Sequence, residues 1–298
     1  MAVGKSSLMF FRAHPLLQVT RLLWVSLPFW AGGAAAAGVA GASAPVRYMA
    51  EAGLWTAWAV VLVALLVPTT TALTVVRVLA PAVGIAGVIA AIAGHHLART
   101  IAVVIVAIVL VGLLSTAEVG QVFVQGSAYG DETRFPLKPP AGLALFGVPA
   151  AWLLLVGGIA LGPALLAAKV WVGGAAATVV GLALAVECAR ALHRLSRRFA
   201  VIVPAGLVLH DHVLLTDTVL FRRTIVDNVG LAPADTTALD LTGGAPGLAV
   251  EVRLNQDVPI GVAPSRIGQP PRSLTVDALL FAPSRPGRLL AAYQRPRP

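Results

Sequence analysis

The segment Glu118–Pro140 (EVGQVFVQGSAYGDETRFPLKPP) sets Tyr129, Asp131, Glu132, Arg134 and Lys138 within ten residues. Paired carboxylates beside an arginine could hold a divalent cation or a cationic group, or serve as acid and base. Neighbouring side chains on an extended segment point to opposite faces, however. The favoured expectation is therefore that Asp131 and Glu132 pair with Arg134 and Lys138 while the loop docks on the C-terminal region. Three aromatics (Phe123, Tyr129, Phe135) and the pair Pro139-Pro140 argue that so long a connection is ordered. Two histidine pairs are the other candidates. His95 and His96 would sit about 100° apart on a helix, a poor common ligand set, and the HExxH spacing is absent. They are expected to be solvated at a helix end. His210-Asp211-His212 on a strand puts both imidazoles on one face, which could ligate a metal. With no third ligand in view, a strand end or turn is the expectation. Arg77 could form an anion site inside a helical bundle or snorkel to headgroups from a span end, and Glu118 is a further polar candidate near such an end. The turn Gly243-Gly244-Ala245-Pro246-Gly247 lacks the Lys-Ser/Thr of a phosphate loop. No catalytic residue, metal or cofactor is expected.

These residues are held by an unusually apolar chain. Of its 298 residues, 58% are hydrophobic and 12% charged, with a mean hydropathy of +0.86. Neither a soluble globule nor a disordered chain has that composition. The single cysteine, Cys188, excludes an internal disulfide. Gaps between charges locate the spans. There are 25 uncharged residues between Arg21 and Arg47, 25 between Glu51 and Arg77, 18 between Arg99 and Glu118, 30 between Lys138 and Lys169, and 17 between Lys169 and Glu187. Residues 78–94 add a further 17. About 17–25 apolar residues cross a bilayer, so six spans are expected. Glycine pairs at 32–33, 157–158 and 173–174, with Gly84, Gly87 and Gly94, are expected where helices approach closely.

Orientation follows from the cations. With the N-terminus inside, Lys5, Arg12, Arg21, Arg77, Arg134, Lys138, Arg190, Arg194, Arg197 and Arg198 face the cytoplasm, against Arg47, Arg99 and Lys169 outside. This is the positive-inside bias. Six tryptophans, Trp24, Trp30, Trp55, Trp58, Trp152 and Trp171, are expected as anchors near span ends. Two rivals stand beside this layout. Ala42-Ser43-Ala44 resembles a signal-peptide cleavage site, though the apolar stretch is long for one and Pro45 follows. A single crossing by residues 78–117 would put the 118–141 loop outside.

Beyond residue 198 the texture changes to short strand-like segments. Phe199–Leu209 reads as strand, Pro-Ala-Gly turn, strand. Val213–Phe221, Thr224–Val229, Leu248–Leu254, Val258–Val262 and Leu274–Phe281 read as further strands, and a short amphipathic helix opens at Ser284. The expected organisation is a cytoplasmic N-terminal segment (1–20), an α-helical multi-pass transmembrane domain (21–190) carrying the polar loop 118–141, and a small β-rich cytoplasmic domain (197–298).

The order VPAGLVLHD, LFRRTIVDNVG, LAVEVRL, VDALLFAPSRPGRLLAAY resembles the bacterial pleckstrin-homology-like domains attached to multi-pass membrane proteins. Leu207-Val208-Leu209 and Ile225-Val226-Asp227-Asn228-Val229 stand in the matching places. The resemblance covers residues 197–296 and implies a small barrel capped by a C-terminal helix. The Ala/Val/Arg-heavy composition is similar to that of multi-pass membrane proteins of high-GC actinobacteria, which implies a plasma-membrane location. Lipid-headgroup recognition would rest on Arg222-Arg223 alone. The functional expectation is a non-catalytic interaction or regulatory role, with the lipid bilayer and membrane protein partners as its contacts and no nucleic acid. Two alternatives stay open. A transporter or channel subunit would need Arg77, Thr69–Thr71 and Glu118 on one polar path. A membrane enzyme acting on lipid or envelope precursors would need Asp131, Glu132 and a histidine in one pocket.

Overall fold

The computed structural model describes residues 14–94, 97–264 and 269–295. Lys5, Arg12, His95 and His96 lie outside them. The chain divides into two compact units, one comprising Met1–Phe123 and Ala150–Leu192, the other Val124–Pro149 and His193–Pro298.

The first unit is helical: α1 (Pro15–Gly38), α2 (Ala44–Leu66), α3 (Thr70–Ala93), α4 (Leu97–Ser115), most of α5 (Ala117–Gln125), and most of the pair α6 (Val148–Ala167) and α7 (Trp171–Ser196). A π-helical turn at Leu143–Gly147 leads into α6. Five helices are long and apolar enough to cross a membrane: α2, α3, α4, the continuous Leu143–Ala167 helix and α7. α1 has 24 residues but carries Gln18, Thr20, Arg21, Ser26 and Pro28, and falls short of that standard.

Helix ends do not follow the charge gaps. Pro45 opens α2 early, so Arg47 and Glu51 lie inside that helix. Pro68 ends it, because the residue before a proline is driven out of the helical region. Thr69 then caps α3, its hydroxyl accepting from the Ala72 amide at 3.1 Å. The uncharged run before Arg77 is thus broken in two, and Arg77 lies within α3, two turns from its start. Residues 70–93 and 97–115 are two separate helices, each long and apolar enough to cross a membrane.

Small residues set the helix contacts. A Cβ on Gly38 would lie 2.7 Å from the Ala90 Cα, and one on Gly158 only 2.5 Å from the Gly181 carbonyl oxygen. Gly84 and Gly87 face Ala107 and Val103 of α4 at 3.1 and 3.3 Å. Gly32 and Gly157, by contrast, have open space where a Cβ would be.

Trp24 and Trp58 depart from the expected anchoring role. Trp24 is buried, and each indole N–H donates to the other's backbone carbonyl, at 3.0 and 2.9 Å, clasping α1 to α2. Trp152 likewise donates to the Val78 carbonyl at 2.9 Å. Buried indoles require such partners, and here helix backbones supply them.

The second unit is β-rich. One antiparallel sheet has the order β1 (Thr133–Pro136), β2 (Phe199–Val203), β3 (Gly206–His210), β4 (Val219–Arg222). The other runs β5 (Val226–Leu231), β7 (Val250–Val262), β8 (Arg272–Phe281), β6 (Leu239–Asp240). Leu248–Leu254 and Val258–Val262, expected as separate strands, fall on the one long strand β7, which bulges between Arg253 and Val258. Residues 213–218 are turns, leaving only the end of the expected 213–221 strand. Helix α8 (Pro286–Tyr293) follows the last strand and buries Leu289 in the core.

Both sheets surround one core, which includes Phe135, Ile202, Leu207, Leu209, Phe221, Val250, Val252, Leu279 and Phe281. The sheets are stitched at two seams. At one, the Leu137 amide donates to the Arg198 carbonyl, Lys138 to the Ala282 carbonyl, and Ser284 back to Pro136. At the other, Thr216 donates to Gly261 and Ala263 to Leu214. The first seam is built by a segment that precedes β2 by two long helices.

Candidate functional site

β1 sits where the densest polar cluster was expected, and its register explains that cluster. Thr133, Arg134, Phe135 and Pro136 pair with Ile202, Val201, Ala200 and Phe199. Alternation turns Phe135 into the core and Arg134 to the opposite face. Ahead of the strand, Gln125 organises the turn: its amide nitrogen donates to the Glu132 carbonyl at 3.0 Å and its oxygen accepts from the Arg134 amide at 2.9 Å.

Glu132 accepts twice from Arg134, through Nε at 3.0 Å and Nη2 at 2.7 Å, and once from the Tyr129 amide at 2.6 Å. The expected Glu132–Arg134 pair is therefore present. Lys138 does not join it; its Nζ donates to the Pro246 carbonyl at 2.6 Å. Asp131 is exposed at the tip of the turn.

The Arg134 guanidinium lies over two rings, Tyr129 at 5.8 Å and Phe199 at 5.0 Å. Phe199 stacks on His210 at 4.7 Å with 18° between planes, and His210 meets His212 edge-on at 4.3 Å. A continuous run of cation and rings therefore crosses β1, β2 and the end of β3. His210 Nδ1 is 2.8 Å from the Thr218 hydroxyl, while its Nε2 is buried without a hydrogen-bond partner among the described residues. Burial, then the nearby charges of His212, Arg197 and Arg134, push its pKa down from 6.5 to about 4, with Asp211 opposing them. Among the described residues no three histidine, cysteine or carboxylate side chains are placed to hold a metal ion.

Asp211, between the two histidines, is a residue whose role the sequence reading missed. It is buried against Arg198 in a bidentate pair, Nε–Oδ1 2.8 Å and Nη2–Oδ2 2.6 Å, both side chains 1% exposed. The third guanidinium contact goes to the Lys138 carbonyl at 2.6 Å, and Asp211 Oδ1 also accepts from the Val213 and Leu214 amides. Each guanidinium nitrogen and each carboxylate oxygen of the two groups has a partner, as a buried pair requires. Arg198 is thus a structural cation fixing the seam, although charge counting had grouped it with the cytoplasmic arginines. Its one available signal was position: the second of the pair Arg197-Arg198 stands directly before an apolar strand, and an aspartate stands just after the strand paired with it.

The glycine turn completes the seam. Gly243, Gly244 and Gly247 have φ of +61°, +72° and +96°, in the left-handed region that favours glycine. The Ala141 amide donates to the Gly243 carbonyl at 3.0 Å, and a Cβ on Gly243 would lie 2.7 Å from Pro140 Cβ. The turn expected there is a cradle for residues 138–141.

In the helical unit, the Arg77 guanidinium reaches α5, where a Cβ on Gly120 would meet its Nη2 at 3.3 Å. Glu118 is half-buried in the first turn of α5. Glu187 pairs with Arg190, three residues on, at 2.5 Å. A cavity of about 280 Å³ opens among α1, α2, α3 and α4, and its walls include none of Arg77, Thr69–Thr71 or Glu118.

Comparison of the chain with protein-family models, with curated proteins and with solved structures found no match.

Proposed function

We propose that this is a plasma-membrane protein of six spans, α1 included, with both termini in the cytoplasm and a non-catalytic role as an interaction or regulatory module. In this reading the β-rich unit is a pleckstrin-homology-like barrel that meets protein partners at the membrane. One observation supports it above the others: β1 and β2 flank the α6–α7 pair in sequence and are hydrogen-bonded to each other. The β1–β2 pairing thus ties together the two chain segments that lead into and out of the α6–α7 pair. A partner that distorts the barrel then acts on that helix pair directly, which is what a regulatory coupling needs. Of the two carboxylates first considered for acid–base work, Glu132 is held by Arg134, and Lys138 beside them is held by the Pro246 carbonyl.

The test is cross-linking and recovery from native membranes of the full chain and of Phe135→Asp, which places a charge in the barrel core while leaving the helices unchanged. The variant should insert normally and lose the partners cross-linked to the barrel. Identical partners recovered with both chains would refute the reading.

A further inference from the structure

The helical unit holds a feature that the barrel reading does not use. The cavity of about 280 Å³ is walled by Leu27, Ala31, Ala35, Leu54, Val83, Leu110 and their neighbours, with Trp24, Trp55 and Trp58 among them. Its one ionisable wall residue is Glu51. Trp24 and Trp58 have spent their N–H groups on each other's backbone carbonyls, so they offer the space no indole donor, and Trp55 stands edge-on to Trp58 at 5.6 Å.

Glu51 has an obvious partner that it does not take. Arg47 is one helical turn earlier, the spacing at which Arg and Glu normally pair, yet its guanidinium lies over the Tyr48 ring at 5.7 Å. Arg99 is the other cation nearby in the fold, its Nη1 3.7 Å from where a Cβ on Gly33 would be. Among the described residues, neither forms an ion pair with Glu51. An exposed carboxylate at the wall of an apolar, tryptophan-lined slot is complementary to one kind of guest, an apolar body carrying positive charge. The body fills the slot, ring faces attract the charge, and the carboxylate neutralises it.

We propose that this cavity binds a lipophilic cation, held by Glu51 and the tryptophan rings. Gly32 gives a means of closing the space without disturbing the packing, because nothing lies within 4 Å of a Cβ built there. Gly32→Leu adds an isobutyl group at the wall of the slot.

The probe is tetraphenylphosphonium, with tetraphenylborate as its anionic counterpart of nearly the same size and shape. The full chain in phosphatidylcholine nanodiscs is titrated by equilibrium dialysis against empty discs, with tryptophan fluorescence followed in parallel. Saturable binding of the phosphonium is expected, with no saturable borate binding. Glu51→Gln should weaken the phosphonium about tenfold or more, and Gly32→Leu should abolish its binding with helical content retained. Equal binding of the two ions, or wild-type affinity in Glu51→Gln, would show a merely greasy slot and overturn the proposal. So would the absence of a saturable, protein-dependent component.

Discussion

Arg198 and Asp211 leave no polar atom of the pair idle, and for that reason neither can be lost alone. Removing one partner strands a charge in the interior of the β-rich unit, at a cost of about 3–5 kcal/mol. Arg198→Ala is therefore expected to lower the melting temperature of that unit sharply and to expose the 138–141 segment to protease; a variant as stable as wild type would show the pair to be dispensable. His210 makes a different demand. Its pKa is held down near 4 in the fold, against 6.5 in an open chain. Between those values the unfolded chain takes up the proton and the folded one does not, so stability is complete above about 6.5 and declines as pH falls toward 4. His210→Phe keeps a ring against Phe199 and removes the proton site. A melting-temperature profile over that range should be flatter for the variant; parallel profiles would assign the acid sensitivity to other groups.

At the scale of elements, β1 is the edge strand that completes one of the two sheets around the core. Phe135 is 3% exposed and, with Leu137, joins a core otherwise made by residues 200–289. Phe135→Ala should cost about 3–5 kcal/mol, measurable as loss of barrel protection in hydrogen exchange. A fragment of residues 193–298 alone leaves the β2 edge bare and this pocket empty, and it should aggregate; joining 124–149 to it through a flexible linker should give a soluble, dispersed fold. A well-folded 193–298 fragment would contradict the structural weight placed on β1.

What could be read from the chain divides along the same line. Strands β2, β3 and β8 and the final helix were legible because each carries its own signal, alternation bounded by turn formers. β1 was not, since four residues beside a charged turn hold no period, and only pairing with the distant β2, from Thr133 against Ile202 to Pro136 against Phe199, makes them a strand. Helix ends were misplaced for a related reason. Charges mark where a helix is reluctant to enter lipid, whereas Pro45, Pro68 and Thr69 decide where the backbone turns. The Glu132–Arg134 pairing was legible from local spacing; the Arg198–Asp211 pair depends on a hairpin and on the Lys138 carbonyl, and no local pattern reports it.

For the molecule as a whole, the pairing of β1 with β2 constrains how the chain threads. Both strands must lie on one side of the membrane, so α6 and α7 together cross it an even number of times. Reporters inserted after Gly126 and after Tyr293 should therefore report the same compartment; opposite compartments would break the pairing and the fold with it.

That arrangement also sets a schedule for biosynthesis. β1 leaves the ribosome roughly 60 residues before its partner, an interval of about 3–12 s at ordinary elongation rates. During it, the nascent strand waits with its hydrogen-bonding edge unpaired while the next two apolar helices are handed to the insertion machinery. The charged turn Asp131–Arg134 and the prolines at 136, 139 and 140 flank that edge. Charges and prolines discourage wrong strand partners, so these residues guard the newborn chain before they serve the finished one.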